Sequence, residues 1–204
     1  MIKNVVFDVG NVFVRWSPAE VVERCFKLPR LDTRNNDKGA ELFRSPIWLA
    51  INRGELTRSE AERAYRMQHG LTAEESQALF FHAMEHQTPV EGTEPLARRL
   101  KQSGLRIFGL TDNVREIVAY LKARYRFWDL FEGAVVSAEV GVLKPDQRIF
   151  SHLLTKFSLT PSETVFLDDV PGNVEGARKA GMAALVFSTS EACEAELRSI
   201  GLSF

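Results

Sequence analysis

The sequence has few cysteines, no excess of either charge and no long apolar run, and each absence excludes a class of protein. Cys25 and Cys193 are isolated and show no CxxC spacing, so neither a disulfide framework nor a thiolate metal site is indicated. The formal net charge of -1 provides no attraction for nucleic acid or for an anionic membrane. No apolar run is long enough to span a bilayer, and no signal-peptide pattern is present. We therefore expect a cytoplasmic protein, and nothing in the sequence predicts an oligomeric state.

What the 204 residues do contain is an alternation of short β-rich runs with amphipathic segments. Five apolar runs predict strands at Val5–Asp8, Arg106–Leu110, Ala134–Ser137, Val165–Asp168 and Ala184–Phe187. In the second half of the chain, helices are predicted between them at Leu96–Gln102, Val114–Arg124, Gln147–Phe157 and Val174–Ala180. This order predicts an α/β protein with a doubly wound, mainly parallel open sheet that is covered by helices on both faces.

The segment between the first two predicted strands contains helix-start signals and no convincing strand. A capping Ser or Thr stands three positions before a Glu at Ser17–Glu20, Thr57–Glu60, Thr72–Glu75 and, further along the chain, Thr160–Glu163. A connection this long exceeds an ordinary crossover, so we predict an all-helical insertion after strand one. The predicted division is an α/β core of residues 1–15 and 89–204 and a helical cap of residues 16–88.

Acidic side chains stand at the ends of three predicted strands. Asp8 ends the first strand, Asp112 follows the second in GLTDN, and Asp168 and Asp169 end the fourth in FLDDVPGN. Because ligands of open α/β sheets bind beyond the carboxyl ends of the strands, we expect these carboxylates to meet at one edge. Gathered carboxylates repel one another unless a cation holds them, and oxygen ligands without His or Cys favour Mg²⁺.

A hydroxyl and a lysine are predicted at the same edge. Thr111 precedes the acid in GLTDN, and Lys144 lies in GVLKPD after the third strand. They supply the hydrogen-bond donor and the positive charge that a phosphate group needs. Each of these residues taken alone also has a purely structural interpretation. Asp8 would cap the turn that follows it, Thr111 would belong to the start of the next helix, and Lys144 would be a solvated loop residue. Together with a carboxylate nucleophile and Mg²⁺, the set favours phosphoryl transfer.

These residues resemble the four motifs of the haloacid dehalogenase (HAD) superfamily of phosphatases and dehalogenases. The motifs stand in order over essentially the whole chain as VVFDVGNV, GLTDN, GVLKPD and VFLDDVPGN. The stretch FEGAVVSAEVGVLKPDQRIF resembles the subgroup with a helical cap inserted after strand one. The resemblance implies a Rossmann-like core and Mg²⁺-dependent hydrolysis of a small phosphorylated metabolite through an aspartyl-phosphate.

The resemblance also implies a nucleophile and a metal site. Asp8 would take up the phosphoryl group, and Mg²⁺ would be held by Asp8, by the main-chain carbonyl of Gly10 and by Asp169, with Asp168 assisting. Most phosphatases of this superfamily carry a second Asp, a general acid and base, at the position of Gly10. Such help typically contributes about 10²–10⁴-fold to a rate, so its loss matters without abolishing turnover.

The remaining implied roles concern the substrate. Thr111 and the amide of Asp112 would hold phosphate oxygens, and Lys144 would neutralise charge on Asp8 and on the transferring group. Asp112 or a metal-bound water is our hypothesis for the missing acid. The wording FDVGNV is similar to the first motif of bacterial α-D-glucose-1-phosphate phosphatases, which implies a sugar phosphate such as glucose 1-phosphate as substrate.

Two alternative functions stay open. A 2-haloacid dehalogenase would use Asp8 to attack carbon without Mg²⁺, and the Asp168–Asp169 pair together with Lys144 argues against it. A catalytically silent member that binds a phosphorylated ligand or another protein is favoured only by Gly10.

Side chains of the predicted cap carry weaker signals. Phe43, Trp48 and Leu49 are candidates for contact with a substrate, although packing within the cap is the simpler interpretation. A phosphonate hydrolase would need a cap lysine, for which the chain offers Lys27 and Lys38.

Overall fold

A computed structural model describes residues 1–26 and 41–204 of the chain. These residues form a parallel sheet of five strands: β1 (Asn4–Phe7), β2 (Arg106–Thr111), β3 (Gly133–Val136), β4 (Thr164–Asp168) and β5 (Ala183–Val186). The strand order is β3-β2-β1-β4-β5, so the first strand is central and the chain winds outward on both sides of it. The prediction of a doubly wound, parallel α/β sheet is confirmed.

The central strand is aligned with both neighbours at the end where the acids follow. Phe7 lies level with Gly109 of β2 and with Leu167 of β4. The Asp8 amide then donates a hydrogen bond to the Leu167 carbonyl at 2.8 Å. Both β1 and β4 are buried along their whole length, which is why they are apolar at successive positions. Residues that follow these strands therefore meet at one edge of the sheet.

Helices connect β1 to β2 in the described residues. Before the chain returns to the sheet, those with described bounds are α1 (Pro18–Cys25), α2 (Pro46–Asn52), α3 (Arg58–His69) and α4 (Ala73–Glu85), and no strand lies among them in the described ranges. A further helix, α5 (Thr93–Gln102), then leads into β2. Ser17, Thr57 and Thr72 cap α1, α3 and α4 as predicted, each accepting the amide three residues on. The chain returns beside its point of departure, where Val14 bridges Pro89. The exact division into residues 1–15 with 89–204 and residues 16–88 stays a prediction.

Helices also separate the later strands, with one exception to the predicted starts. They are α6 (Arg115–Arg124), α7 (Ser137–Val140), α8 (Gln147–Lys156) and α9 (Pro171–Lys179), and α10 (Ser190–Ser199) follows β5. The helix start predicted at Thr160 is wrong, because Pro161–Glu163 form a single 3₁₀ turn and the Thr160 side chain caps nothing. The next residue already belongs to β4, so the segment has no room for an α-helix. No helix among the described residues is long and apolar enough to cross a membrane.

Apolar residues of the strands alternate between two cores. Val5 and Phe7 join a cluster that extends to Trp48 and Tyr65 in the helices between β1 and β2. Val6 points to the other side and packs in a second cluster with Phe150 of α8. Burial stabilises such contacts by roughly 25 cal/mol per Å² of apolar surface. The helices after β1 are therefore held against the sheet by continuous apolar packing.

Candidate active site

Three carboxylates meet at the carboxyl edge of the two central strands. Asp8 follows β1, Asp168 is the last residue of β4, and Asp169 comes next. Each offers one carboxylate oxygen within 4.8 Å of the others. Because β1 and β4 are neighbours in the sheet, residues that are far apart in the sequence form one acidic group.

Lys144 lies between two of these carboxylates. Its Nζ is 2.8 Å from Asp8 Oδ1 and 2.7 Å from Asp168 Oδ2, and it also donates to the Leu110 carbonyl at 3.2 Å. Only 1% of its side chain is exposed. Burial lowers the pKa of Lys144, but the carboxylates of Asp8, Asp168 and Asp112 outweigh burial and raise the pKa overall. The ammonium is therefore charged at neutral pH.

Asp168 is fully buried and its oxygens are occupied by donors from the protein. Oδ1 accepts from the Val170 amide at 2.8 Å, and the Asn173 side chain reaches both oxygens at 3.1 Å. Oδ2 also accepts from Lys144 at 2.7 Å. Asp168 therefore holds Lys144 and the first turn of α9 in place.

Asp169 is half-buried and is held by the turn that follows β1. Its Oδ2 accepts from Asn11 Nδ2 at 3.0 Å, and Asn11 Oδ1 accepts from the Trp16 amide at 2.8 Å. Asn11 adopts a left-handed conformation with φ 51°, which Asn tolerates better than most side chains. Burial raises the pKa of Asp169, and the hydrogen bond from Asn11 opposes that rise.

The surroundings of Asp8 raise the pKa of its carboxyl group. Burial raises its pKa to about 7, Lys144 opposes the rise, and Asp168 adds to it. One ammonium cannot neutralise two carboxylates, so the arrangement favours a second positive charge nearby. The residues present fit a hard divalent cation, because all three acidic side chains offer oxygen ligands.

Three further predicted site residues lie at the same edge of the sheet but differ in their access to the cavity: Asp112, Thr111 and Gly10. Both carboxylate oxygens of Asp112 accept from the Lys144 main-chain amide at 3.1 Å. Burial raises the pKa of Asp112, and Lys144 opposes the rise. Asp112 and Gly10 line the cavity at this edge, whereas Thr111 is only 1% exposed and does not. The predicted contact between Thr111 and phosphate stays a prediction.

A cavity of about 290 Å³ opens over the acidic group. Its polar lining consists of four charged side chains, Gly10 and five amide side chains: Asp8, Asp112, Lys144, Asp169, Gly10, Asn11, Asn52, Gln87, Asn113 and Asn173. Apolar side chains form much of the remaining wall. Trp16 comes from the loop after β1, Phe43 from the segment before α2, and Trp48 and Leu49 from α2 itself. Ile117 of α6 and the loop residues Leu143 and Val170, which precede α8 and α9, complete it. The cap candidates Phe43, Trp48 and Leu49 thus lie where a substrate would bind, while Lys27 and Lys38 lie outside the described residues.

Two asparagines of this site were not predicted to have a role. Asn11 positions Asp169, and Asn173 positions Asp168. Trp16, which like Arg15 is a weak candidate for substrate contact from its place just after the first motif, lines the cavity. Asn11 and Asn173 lie inside the first and fourth motifs, in FDVGNV and FLDDVPGN, where the spacing from the acids was the available signal. Their partners were not predictable because each hydrogen bond depends on the local turn.

Residues 2–181 match the haloacid dehalogenase-like hydrolase family, and the chain belongs to that family. The match covers β1 to β4, the helices between β1 and β2 and all four motifs. The predictions of a HAD-type fold and of a hydrolase are confirmed.

Individual relatives add detail. The chain is 29% identical to the sesquiterpene phosphatase astK of Aspergillus oryzae, over 97% of this chain and 96% of that protein. The HAD family enzyme bt-2542 of Bacteroides thetaiotaomicron, in complex with magnesium and inorganic phosphate, superposes with a TM-score of 0.77 at 20% identity, covering 93% of this chain and 96% of that one. L-2-haloacid dehalogenase of Xanthobacter autotrophicus superposes with a TM-score of 0.69 at 21% identity, covering 100% of this chain and 85% of that one. The last two share the fold, which by itself does not distinguish phosphate from halide chemistry.

Proposed function

We propose that the protein is a Mg²⁺-dependent phosphomonoester hydrolase with Asp8 as its nucleophile. The observation that carries the proposal is the ammonium of Lys144, 2.8 Å from Asp8 and 2.7 Å from Asp168, beside a third carboxylate. A buried positive charge next to a nucleophilic carboxylate suits a dianionic phosphate. A dehalogenase would not need the surplus of carboxylates.

We assign Mg²⁺ to ligands from Asp8, Asp169 and the main-chain carbonyl of Gly10. Asp168, which accepts a hydrogen bond from Lys144, would assist by adding negative charge to the site. The all-oxygen donor set and the excess negative charge of the group support this assignment. A bound Mg²⁺ supplies positive charge that draws electrons from the phosphoryl oxygens. The similarly folded Bacteroides enzyme, which was crystallised with magnesium and phosphate, is in line with this cofactor.

The proposed reaction has two steps on Asp8. A carboxylate oxygen of Asp8 attacks phosphorus, the bond from phosphorus to the leaving oxygen breaks, and that oxygen takes a proton. Water then attacks the aspartyl-phosphate, which releases inorganic phosphate and restores the carboxylate. Lys144 offsets charge on Asp8 and on the transferring group, while Thr111 and the Asp112 amide bind phosphate oxygens.

We assign the proton to Asp112, because Gly10 has no side chain to provide it. Asp112 lines the cavity, and burial raises its pKa, which favours the protonated form that a general acid needs. Its carboxylate also accepts from the Lys144 amide at 3.1 Å, so it is tied to the lysine that faces the nucleophile.

Two substrate classes are compatible with this site. The first motif implies a small sugar phosphate such as glucose 1-phosphate. The name of the Aspergillus oryzae relative, a sesquiterpene phosphatase, points instead to the phosphate ester of an apolar alcohol. Both are small phosphorylated molecules, and both would be cleaved by the same attack of Asp8.

Phosphate release from p-nitrophenyl phosphate, with Mg²⁺ and with EDTA, tests the proposal. We expect hydrolysis with Mg²⁺, its loss in EDTA, and a decrease of about 10³-fold or more in Asp8→Asn. Asp129→Asn is the matched control, since that carboxylate is 64% exposed and pairs with Arg126 on the surface. No turnover in any condition would favour the silent binding protein. Chloride release from 2-chloropropionate without Mg²⁺ would favour the dehalogenase.

A further inference from the structure

Three aromatic rings form one wall of the cavity that holds Asp8 and Lys144. The rings of Trp16 and Trp48 lie parallel, 5.8 Å apart with an interplanar angle of 6°. Phe43 packs edge-on against both, at 5.1 and 4.7 Å between ring centroids. The wall joins the loop after β1 to α2 and presents hydrocarbon surface to whatever extends from a phosphate bound near Asp8.

Aliphatic side chains continue this surface toward solvent. Leu49 is 39% exposed and Val170 is 46% exposed, and both line the cavity together with Ile117 and Leu143. Leu49 and Val170 are among the few large apolar side chains with this much exposure in the described residues. Their position at the opening means that a bound molecule would remove apolar surface from water, which favours binding.

Each amide side chain in the lining makes a hydrogen bond within the protein. Asn11 and Asn173 donate to the carboxylates of Asp169 and Asp168, and the others bond to the main chain. The side-chain nitrogens of Asn52 and Gln87 donate to main-chain oxygens four residues earlier, at 2.8 and 2.9 Å. Asn113 Oδ1 accepts the amide of the next residue at 2.9 Å. Arg53, at the end of α2, is paired with Glu55 and does not line the cavity. Within the described part of the helices between β1 and β2, no charged side chain lines the cavity.

These features discriminate between leaving groups. A polyhydroxylated ring would exchange hydrogen bonds to water for contacts with Trp, Phe and Leu side chains, which costs free energy. A hydrocarbon group of the same size would give up no hydrogen bonds to water, and its binding would bury apolar surface on both sides of the contact.

We propose that the substrate is a phosphomonoester whose leaving group is an apolar hydrocarbon ring or chain, seated against Trp16, Phe43, Trp48 and Leu49. This inference rests on the proposed function, because the phosphate lies against Asp8 and Lys144 and is released by the same hydrolysis. The bond between phosphorus and the leaving oxygen breaks, that oxygen takes the proton, and the product is a free apolar alcohol.

The test compares two phosphates with six-membered rings, cyclohexyl phosphate and glucose 1-phosphate, with Mg²⁺. We expect kcat/KM to be higher for cyclohexyl phosphate by about 10-fold or more, the range that a few methylenes provide in an apolar pocket. The anomeric oxygen of the sugar is the better leaving group, so intrinsic reactivity works against this result. Equal or greater kcat/KM for glucose 1-phosphate would overturn the inference.

Leu49→Asn tests the surface without disturbing the core, because Leu49 is partly exposed on α2. We expect it to lower kcat/KM for cyclohexyl phosphate severalfold more than for acetyl phosphate, because that small acyl phosphate has no hydrocarbon ring to pack against Leu49. The matched control is Met67→Asn on α3, which replaces an 80% exposed apolar side chain outside the cavity lining. Equal losses on both substrates would count against the inference.

The two proposals fail in different ways. Absence of Mg²⁺-dependent release from acetyl phosphate and p-nitrophenyl phosphate would refute the hydrolase itself. Turnover of these two compounds together with a preference for glucose 1-phosphate would keep the hydrolase and reject the apolar substrate.

Discussion

At the scale of single residues, the central feature of this protein is one buried ammonium that forms ion pairs with two carboxylates. Lys144 contacts Asp8 and Asp168, and both its own side chain and that of Asp168 are almost completely inaccessible to water. A buried charge without a partner is costly, so each member of the group depends on the others. Under the proposed function, the same arrangement presents Asp8 to the phosphate of a substrate.

Replacing Lys144 should therefore destabilise the protein as well as inactivate it. We expect Lys144→Met, measured by urea unfolding in EDTA, to lower the free energy of unfolding by about 3–5 kcal/mol, because two carboxylates lose their partner. Lys3→Met is the control, since the Lys3–Glu163 pair is exposed and should contribute about 1 kcal/mol or less. Similar losses in the two variants would show that the buried group is not coupled as described.

Asp112 offers a second test at this scale. If it donates the proton, Asp112→Asn should lower kcat about 10²-fold for cyclohexyl phosphate, whose alkoxide needs protonation. The same variant should change kcat little for p-nitrophenyl phosphate, because nitrophenolate leaves without help. An equal loss on both substrates would indicate that Asp112 acts by holding the Lys144 main chain.

The positions of Asp8, Asp112, Lys144 and Asp169 at one edge followed from the motifs. The burial of Thr111 did not follow, and neither did the hydrogen bond from Asn11 to Asp169. Motif spacing shows which strand end a residue occupies. The direction of each side chain depends on neighbours that pack only in the folded chain.

At the scale of elements, local capping signals were reliable where a helix had room to follow. The Thr57 and Thr72 side chains accept the amides of Glu60 and Glu75, and the two Glu side chains reach back to the cap amides. The same pattern at Thr160 begins only a 3₁₀ turn, because β4 starts immediately afterwards. Sheet formation therefore overrides a local helix preference at that position.

Thr57 and Thr160 are both exposed, so substitutions at these two positions can be compared directly. We expect Thr57→Ala to lower the free energy of unfolding by about 1 kcal/mol, because α3 loses its capping box. Thr160→Ala should stay within about 0.5 kcal/mol, since its side chain caps no helix. Chemical denaturation of both variants under identical conditions checks the difference, and a larger loss at Thr160 would contradict it.

On the scale of the whole molecule, the order of strands creates the acidic group. Asn11 and Asp169 are 158 positions apart in the sequence, yet their side chains are hydrogen-bonded because β1 and β4 are adjacent. A cation bound there would join the first strand to the fourth. A ligand that binds only the folded state stabilises it by RT ln(1 + [L]/Kd), which is about 2.7 kcal/mol at 100 times Kd.

Mg²⁺ should therefore raise the thermal stability of the protein. At about 100 times its Kd we expect Tm to increase by about 5–10 °C relative to EDTA. The increase should largely disappear in Asp169→Asn and persist in Asp129→Asn, whose carboxylate lies outside the acidic group. Differential scanning calorimetry provides the comparison, and an equal increase in all three proteins would reject this site for Mg²⁺.

Periodicity and motif spacing are local properties, so they were enough to predict the sheet, the helices between its first two strands and the strand ends that precede Asp8, Lys144 and Asp169. Which side chains enclose the cavity depends on tertiary packing. Trp16, Phe43 and Trp48 form one wall because the helices after β1 fold back over the sheet edge. Contacts between distant segments depend on how those segments pack, and no short pattern in the chain records them.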